Sequence, residues 1–182
     1  MEGYVRRLRI LILSPSLPFP ADDGGKLRAA SVALALAASH DVAFGCFADG
    51  GDVRPVGAEV AGRFRELKIV SRPTRRRRHW TPRLSSLPSD VHGLRSHEMA
   101  AWVGRTVAHF CPDVLLAGDP ALTPYLEPYP DHVRVLDYVC VATLAFERMS
   151  AASTRAQRVV WGLRRLKFGA YLARIARTHA TG

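Results

Sequence analysis

The stretch RILILSPSLPFPADDGGKLRAASVALALAASHDV, Arg9–Val42, decides how the rest of the chain is read. Its apolar opening belongs to Leu8–Leu13 (LRILIL), a short branched run of the kind that forms a strand covered on both faces. Pro15, Pro18 and Pro20 cannot extend that strand, because each lacks a donor and fixes φ, so a loop follows as far as Asp23. Gly24-Gly25 then opens a helix predicted over Lys26–Ser39, with Leu27, Ala30, Ser31, Leu34 and Ala38 on the helical period. His40-Asp41 closes it. Strand, loop and returning helix make the first unit of an α/β fold.

The alternation continues beyond it. Asp41–Phe47 (DVAFGCF) and Leu67–Val70 read as the second and third strands, with a short helix near Val56–Phe64 between them. Ser71–Gly93 holds Pro73, Pro82, Pro88 and an arginine run, and reads as an exposed, basic, proline-rich loop (71–93). Arg95–Phe110 predicts a helix, Val114–Ala117 a fourth strand, Ala121–Leu126 a brief helix, and Val133–Leu136 a fifth strand ending at Asp137-Tyr138. The expected fold is α/β: a Rossmann-like parallel sheet flanked by helices over residues 1–150, followed by a long basic helix in 151–182. Over Ser153–His179 that helix carries two apolar faces. Val159, Leu163, Leu166, Ala170 and Ala173 share one, while Trp161, Phe168, Leu172 and Ile175 lie nearly opposite. A helix apolar on both sides lies between two layers of protein, so the Trp161 face is expected to need a partner.

Composition narrows the function classes. At 182 residues, 20.0 kDa and mean hydropathy −0.01, the chain suits one globular domain. No apolar stretch approaches the roughly 20 residues that cross a bilayer, and Ile10–Leu13 after Arg6, Arg7 and Arg9 is too short for a signal peptide. Cys46, Cys111 and Cys140 are widely spaced and form no CxxC, which points to a reducing cytoplasm rather than a disulfide framework or zinc site. The seven histidines form no metal-binding pattern, so no metal is expected. There is no Gly-x-Ser-x-Gly elbow for a hydrolase.

The net charge of +10 is local. Arg75, Arg76, Arg77 and Arg78 form one cluster, and the tail from Arg148 holds eight more basic residues and no acid, leaving the remainder slightly acidic. With Trp80 beside it, the arginine run suits an anionic membrane surface or a lipid-linked pyrophosphate acceptor, which would make the protein peripheral on the inner membrane face. No helix-turn-helix, RRM or zinc pattern accompanies the charge, so nucleic acid is the weakest of the candidate partners.

In an open parallel sheet, ligands bind beyond the carboxyl ends of the strands, and the first strand-to-helix loop is a favoured place. Gly24 and Gly25 allow close approach there, and a helix N-terminus suits phosphate. Lys26 and Arg28 oppose the helix dipole unless a ligand anion or a carboxylate offsets them. They are candidates for a phosphate-facing loop. The spacing matches neither GxGxxG nor GxxxxGK[ST], and a plain chain turn at Gly24-Gly25 is the equal alternative.

The opening stretch resembles the start of family-4 type glycosyltransferases of GT-B fold, which begin with strand, proline-rich loop, GG-x-x-R, helix and "H-D/E-V". CPDVLLAGDPALTPYL, from Cys111, is similar to that family's "xPDVVH" strand and helix. HVRVLDYVCVATLAFERMS, from His132, resembles the "rvlDlvDv.s" segment of bacterial sugar transferases associated with exopolysaccharide export. The resemblance covers most of the chain and least of Ser71–Gly93. It implies the acceptor-side half of a GT-B enzyme that moves sugar from a nucleotide sugar to a glycan or lipid-linked acceptor, with the glycine loop and Arg28 facing the donor phosphates and Asp137 lining the cleft. No cofactor is implied beyond the nucleotide sugar as donor substrate.

Two departures accompany it. Gly118-Asp119 stands where many members have a histidine that contacts the donor sugar, so no catalytic residue carries over and Asp119 is only a cleft candidate. The nucleotide-binding second domain does not follow within the 182 residues, and the chain is expected to be a fragment or split half that needs that domain or a partner chain to act. The alternative reading is a non-catalytic Rossmann-like interaction module that docks a partner chain and an anionic membrane surface.

Overall fold

In the computed structural model, residues 6–49, 56–72, 87–137, 149, 151 and 154–179 are described. Arg75–Arg78, Trp80 and Cys140 lie outside them.

The apolar run after Arg9 is β1 (Arg9–Ser14), the centre of a five-stranded sheet of order β3-β2-β1-β4-β5. Its neighbours are β2 (Asp41–Ala48), with Ile10 opposite Val42, and β4 (Val114–Ala117), with Ile10 opposite Val114. The edges are β3 (Glu66–Ser71) and β5 (Val133–Leu136). All four pairings are parallel, as expected for a Rossmann-like α/β fold. After the exposed Arg9, Ile10–Leu13 is apolar throughout because each side of β1 meets a separate core. Ile10 and Ile12 join one cluster, Leu11 and Leu13 the other.

On the first face lies α1 (Gly24–Ser39), together with Phe19, Phe44 and Phe64; the short α2 (Ala58–Ala61) leads into β3. On the second lie α3 (Ser89–Gly93), α4 (His97–Phe110), a 3₁₀ helix (Pro120–Tyr125) and α5 (Arg155–His179). Met99, Trp102, Val103 and Thr106 form the buried stripe of α4. Gly45 in β2 makes room for it: a Cβ there would lie 2.5 Å from the Trp102 ring.

Three expectations change. The buried face of α1 is Ala30 and Ala33 with Leu34 and Ala37 partly covered, while Leu27, Ser31 and Ala38 are exposed. Alanines let the helix approach the sheet closely, so the small side chains, not the leucine at its start, choose the face. The stretch read as exposed up to Gly93 contains α3, whose Val91 is fully buried against the second core.

In α5 the covered face is the one expected to lack a home. Phe168, Tyr171 and Ile175 are buried, and the Tyr171 hydroxyl lies 2.7 Å from Thr123 Oγ1 and donates to Pro120 O at 3.2 Å. That polar anchor on the 3₁₀ helix turns Val159, Leu163 and Leu166 to solvent instead, at 64%, 55% and 70% exposure. Among the described residues no helix is long and apolar enough to cross a membrane.

Candidate functional site

The strands step in one direction from β1 to β3 and in the other from β1 to β5, so the topology reverses between β1 and β4. Beyond the carboxyl ends of these two strands lies a cleft of about 170 Å³. Ser14–Ser16 and Gly118-Asp119 form its floor, Gly25, Lys26 and Arg28 of α1 one wall, and Asp137, just after β5, the other. The reversal point opens a crevice because the connections leaving β1 and β4 diverge to opposite faces of the sheet.

The proline-rich loop is held firmly against this crevice. Leu17 is buried, and Phe19 lies 6.4 Å from the Phe44 ring and 6.3 Å from that of Phe64. The Phe19-Pro20 peptide is cis. Ser14 Oγ donates to Ser16 O at 2.7 Å, and Arg72 Nη2 donates to Pro15 O at 2.7 Å.

The acids and cations of the opening stretch then sort into roles. Asp23 is the N-cap of α1, its Oδ1 accepting from the Lys26 amide at 2.8 Å. Asp22 pairs with Lys26 Nζ at 2.7 Å, and Asp137 with Arg28 Nη2 at 2.8 Å. The hydrogen bond and charge of Asp137 raise the Arg28 pKa above its ordinary value. Of the two alternatives, a ligand anion or a carboxylate, carboxylates of the chain itself offset these cations. Half-exposed, the Arg28 guanidinium still faces the cleft mouth.

The two glycines differ. A Cβ on Gly25 would approach the capping Asp23 Oδ1 to 3.2 Å, so folding itself has a use for that glycine. A Cβ on Gly24 would meet nothing within 4 Å, and Gly24 is exposed in the first turn. Intramolecular packing does not ask for glycine there.

Asp119 is half-buried at the cleft floor, and its Oδ1 accepts from the Ala121 amide at 2.7 Å to cap the 3₁₀ helix. Burial pushes its carboxyl above the ordinary range and Asp90 adds to the rise, while the Ala121 N–H and Arg72 oppose it. Burial thus disfavours the charged form of Asp119 at the cleft floor. Gly118 beside it is tight, since a Cβ would lie 3.2 Å from Leu13 O.

Gly25, Lys26, Arg28, Asp119 and Asp137 therefore line one cleft, with Gly24 exposed at the start of the same helix. Sequence reasoning missed Arg72 and Asp49, an ion pair at 3.2 Å, and the smaller adjoining hollow of about 90 Å³ that Asp49 shares with Ser16, Phe19 and Lys26. Their only signal was their place after the carboxyl ends of β3 and β2. Among the described residues no three His, Cys, Asp or Glu gather to hold a metal. Cys46 is buried, which pushes its thiol up to about 12 and leaves it unreactive. Cations and carboxylates around a small crevice suit a polar ligand that carries phosphate or hydroxyl groups. No protein-family model matches the chain, and neither a curated protein nor a solved structure matches it.

Proposed function

We propose that the chain is the acceptor-side half of a GT-B type glycosyltransferase, acting on a glycan or lipid-linked acceptor and using a nucleotide sugar held by a second domain or partner chain. The observation that carries the reading is the cleft at the topological reversal, lined by Gly25, Arg28 and Asp137, with Gly24 exposed beside it in the first turn of α1. In this reading the ligand's phosphate or hydroxyl groups approach over Gly24, where no side chain stands. Arg28 supplies positive charge, and Asp137 holds its guanidinium in place when the cleft is empty of anions. Asp119 accepts a hydroxyl proton or hydrogen bond at the floor. Arg75–Arg78 would serve the acceptor side, outside the described residues.

The test uses the chain joined, in cis or in trans, to a nucleotide-sugar-binding domain. Gly24→Val and Arg28→Ala are each expected to reduce sugar transfer at least tenfold with an unchanged melting temperature. Gly24→Val isolates ligand approach, because a Cβ at this exposed position meets nothing within 4 Å. Undiminished transfer in both variants removes the assignment.

A further inference from the structure

We propose that the solvent-facing stripe of α5 seats the protein on an anionic lipid surface. Val159, Leu163 and Leu166 fall along one side of the helix and Val160 beside them, with exposures of 64%, 55%, 70% and 54%. Phe168, Tyr171 and Ile175 on the opposite side are buried, so the domain covers one face of the helix and leaves the other apolar in water. The flanks are cationic. Exposed Arg158 and Arg165 border the stripe on one side and Lys167 on the other. Across Arg155–His179 there are seven arginines and lysines and no aspartate or glutamate.

Size and charge together select the occupant. Four such side chains expose on the order of 400 Å² of apolar surface, about half of the roughly 800 Å² that one partner contributes to a standard protein interface. A second copy would bring the same sign of charge, from a helix with seven basic residues and no acid, against itself. An anionic bilayer needs neither a large patch nor a shaped one: a short apolar row enters the headgroup boundary and basic flanks supply the attraction. A hollow of about 450 Å³ continues the surface between α5 and the start of α3, where Val160, Leu163 and Pro88 meet Arg164 and Lys167, with Asp90 at its border. Such a hollow can receive an acyl chain beside a lipid phosphate. The inference uses no cleft residue and stands apart from the glycosyl-transfer reading.

Flotation of the full chain with phosphatidylcholine vesicles containing phosphatidylglycerol tests it. The protein should float with these vesicles and not with phosphatidylcholine alone. Leu163→Asp/Leu166→Asp should weaken binding at least tenfold with unchanged circular dichroism and melting; if the aspartates lower the melting point, Leu163→Gln/Leu166→Gln carries the same comparison. Replacing Arg75–Arg78 by serine should leave the stripe's contribution in place. Three outcomes overturn the proposal: no flotation, flotation indifferent to the stripe variants, or loss confined to the Arg75–Arg78 variant. Capture of an acidic amphipathic peptide without any vesicle binding also overturns it, in favour of a protein partner.

Discussion

Asp41 at the amino end of the sheet and Asp119 at the carboxyl end meet opposite surroundings. Asp41 accepts from Arg65 Nε at 2.8 Å and Arg7 Nε at 3.1 Å, and the Arg65 hydrogen bond above all holds its carboxyl below the ordinary range. Near it Asp113 accepts from the Arg9 amide at 2.8 Å, and Glu66 receives Thr106 Oγ1 at 3.2 Å and the His109 ring at 2.5 Å. Asp119 lies in a half-buried crevice where desolvation and Asp90 push its carboxyl up. The amino end closes the sheet with paired charges in water, whereas the carboxyl end leaves a half-buried carboxyl, hydrogen-bonded only to the Ala121 amide among the contacts described, beside an open cleft.

The contrast can be broken most forcefully at Gly118. A side chain there presses on Leu13 O in the central strand, which cannot yield without disturbing two ladders, so Gly118→Val should cost about 2 kcal/mol by chemical denaturation. An unchanged midpoint would mean that the cleft floor is looser than its geometry. Asp119 sharpens the comparison next. Asp119→Ala loses the cap on the Ala121 amide, at about 1 kcal/mol. Asp119→Asn keeps an acceptor while removing the buried charge, and should leave stability at pH 7 equal or higher; a loss as large as that of alanine would show that the carboxylate charge itself is stabilising.

The smallest effect is in pH. The Asp41 pKa is lowered from 3.8, so its stabilisation is present above that value and lost as pH falls through the folded-state value. The His109 pKa is raised from 6.5, chiefly by Glu66 and then by the Arg105 carbonyl, since only the imidazolium can donate from both ring nitrogens. Its stabilisation is complete below 6.5 and lost as pH rises through the raised value. Asp119 has the reverse sign to Asp41: its pKa is raised from 3.8, so stability falls as pH rises through its folded value. In thermal melts, His109→Gln should therefore lower stability at pH 6 and have less effect at pH 9, while Asp41→Asn should do so at pH 7 and less at pH 3. Effects independent of pH would remove the pairing account.

Much of this molecule is legible along the chain. The strand runs at Leu8–Leu13, Asp41–Phe47, Val114–Ala117 and Val133–Leu136 lie where their apolar runs and proline or aspartate punctuation put them. The site is partly legible: Gly24-Gly25 and Arg28 stand out because glycine and cations are poor choices for a first helical turn. Asp22 as the partner of Lys26 is a local fact, four residues away. Asp137 as the partner of Arg28 is 109 positions distant, and nothing in the chain order announces it.

Taken by itself, the sequence determined the α/β alternation, the doubly covered central strand and the opening loop, because hydrophobic period, missing proline donors and capping chemistry act over a few residues. Tertiary structure decided which face of α1 and which face of α5 would be buried. It also decided where the topology reverses to leave a cleft and which carboxylate would be desolvated there. These depend on what lies across the sheet. The Tyr171 hydroxyl finding Thr123, or Trp102 filling the space above Gly45, is a choice among faces of similar apolarity, made only once the layers meet.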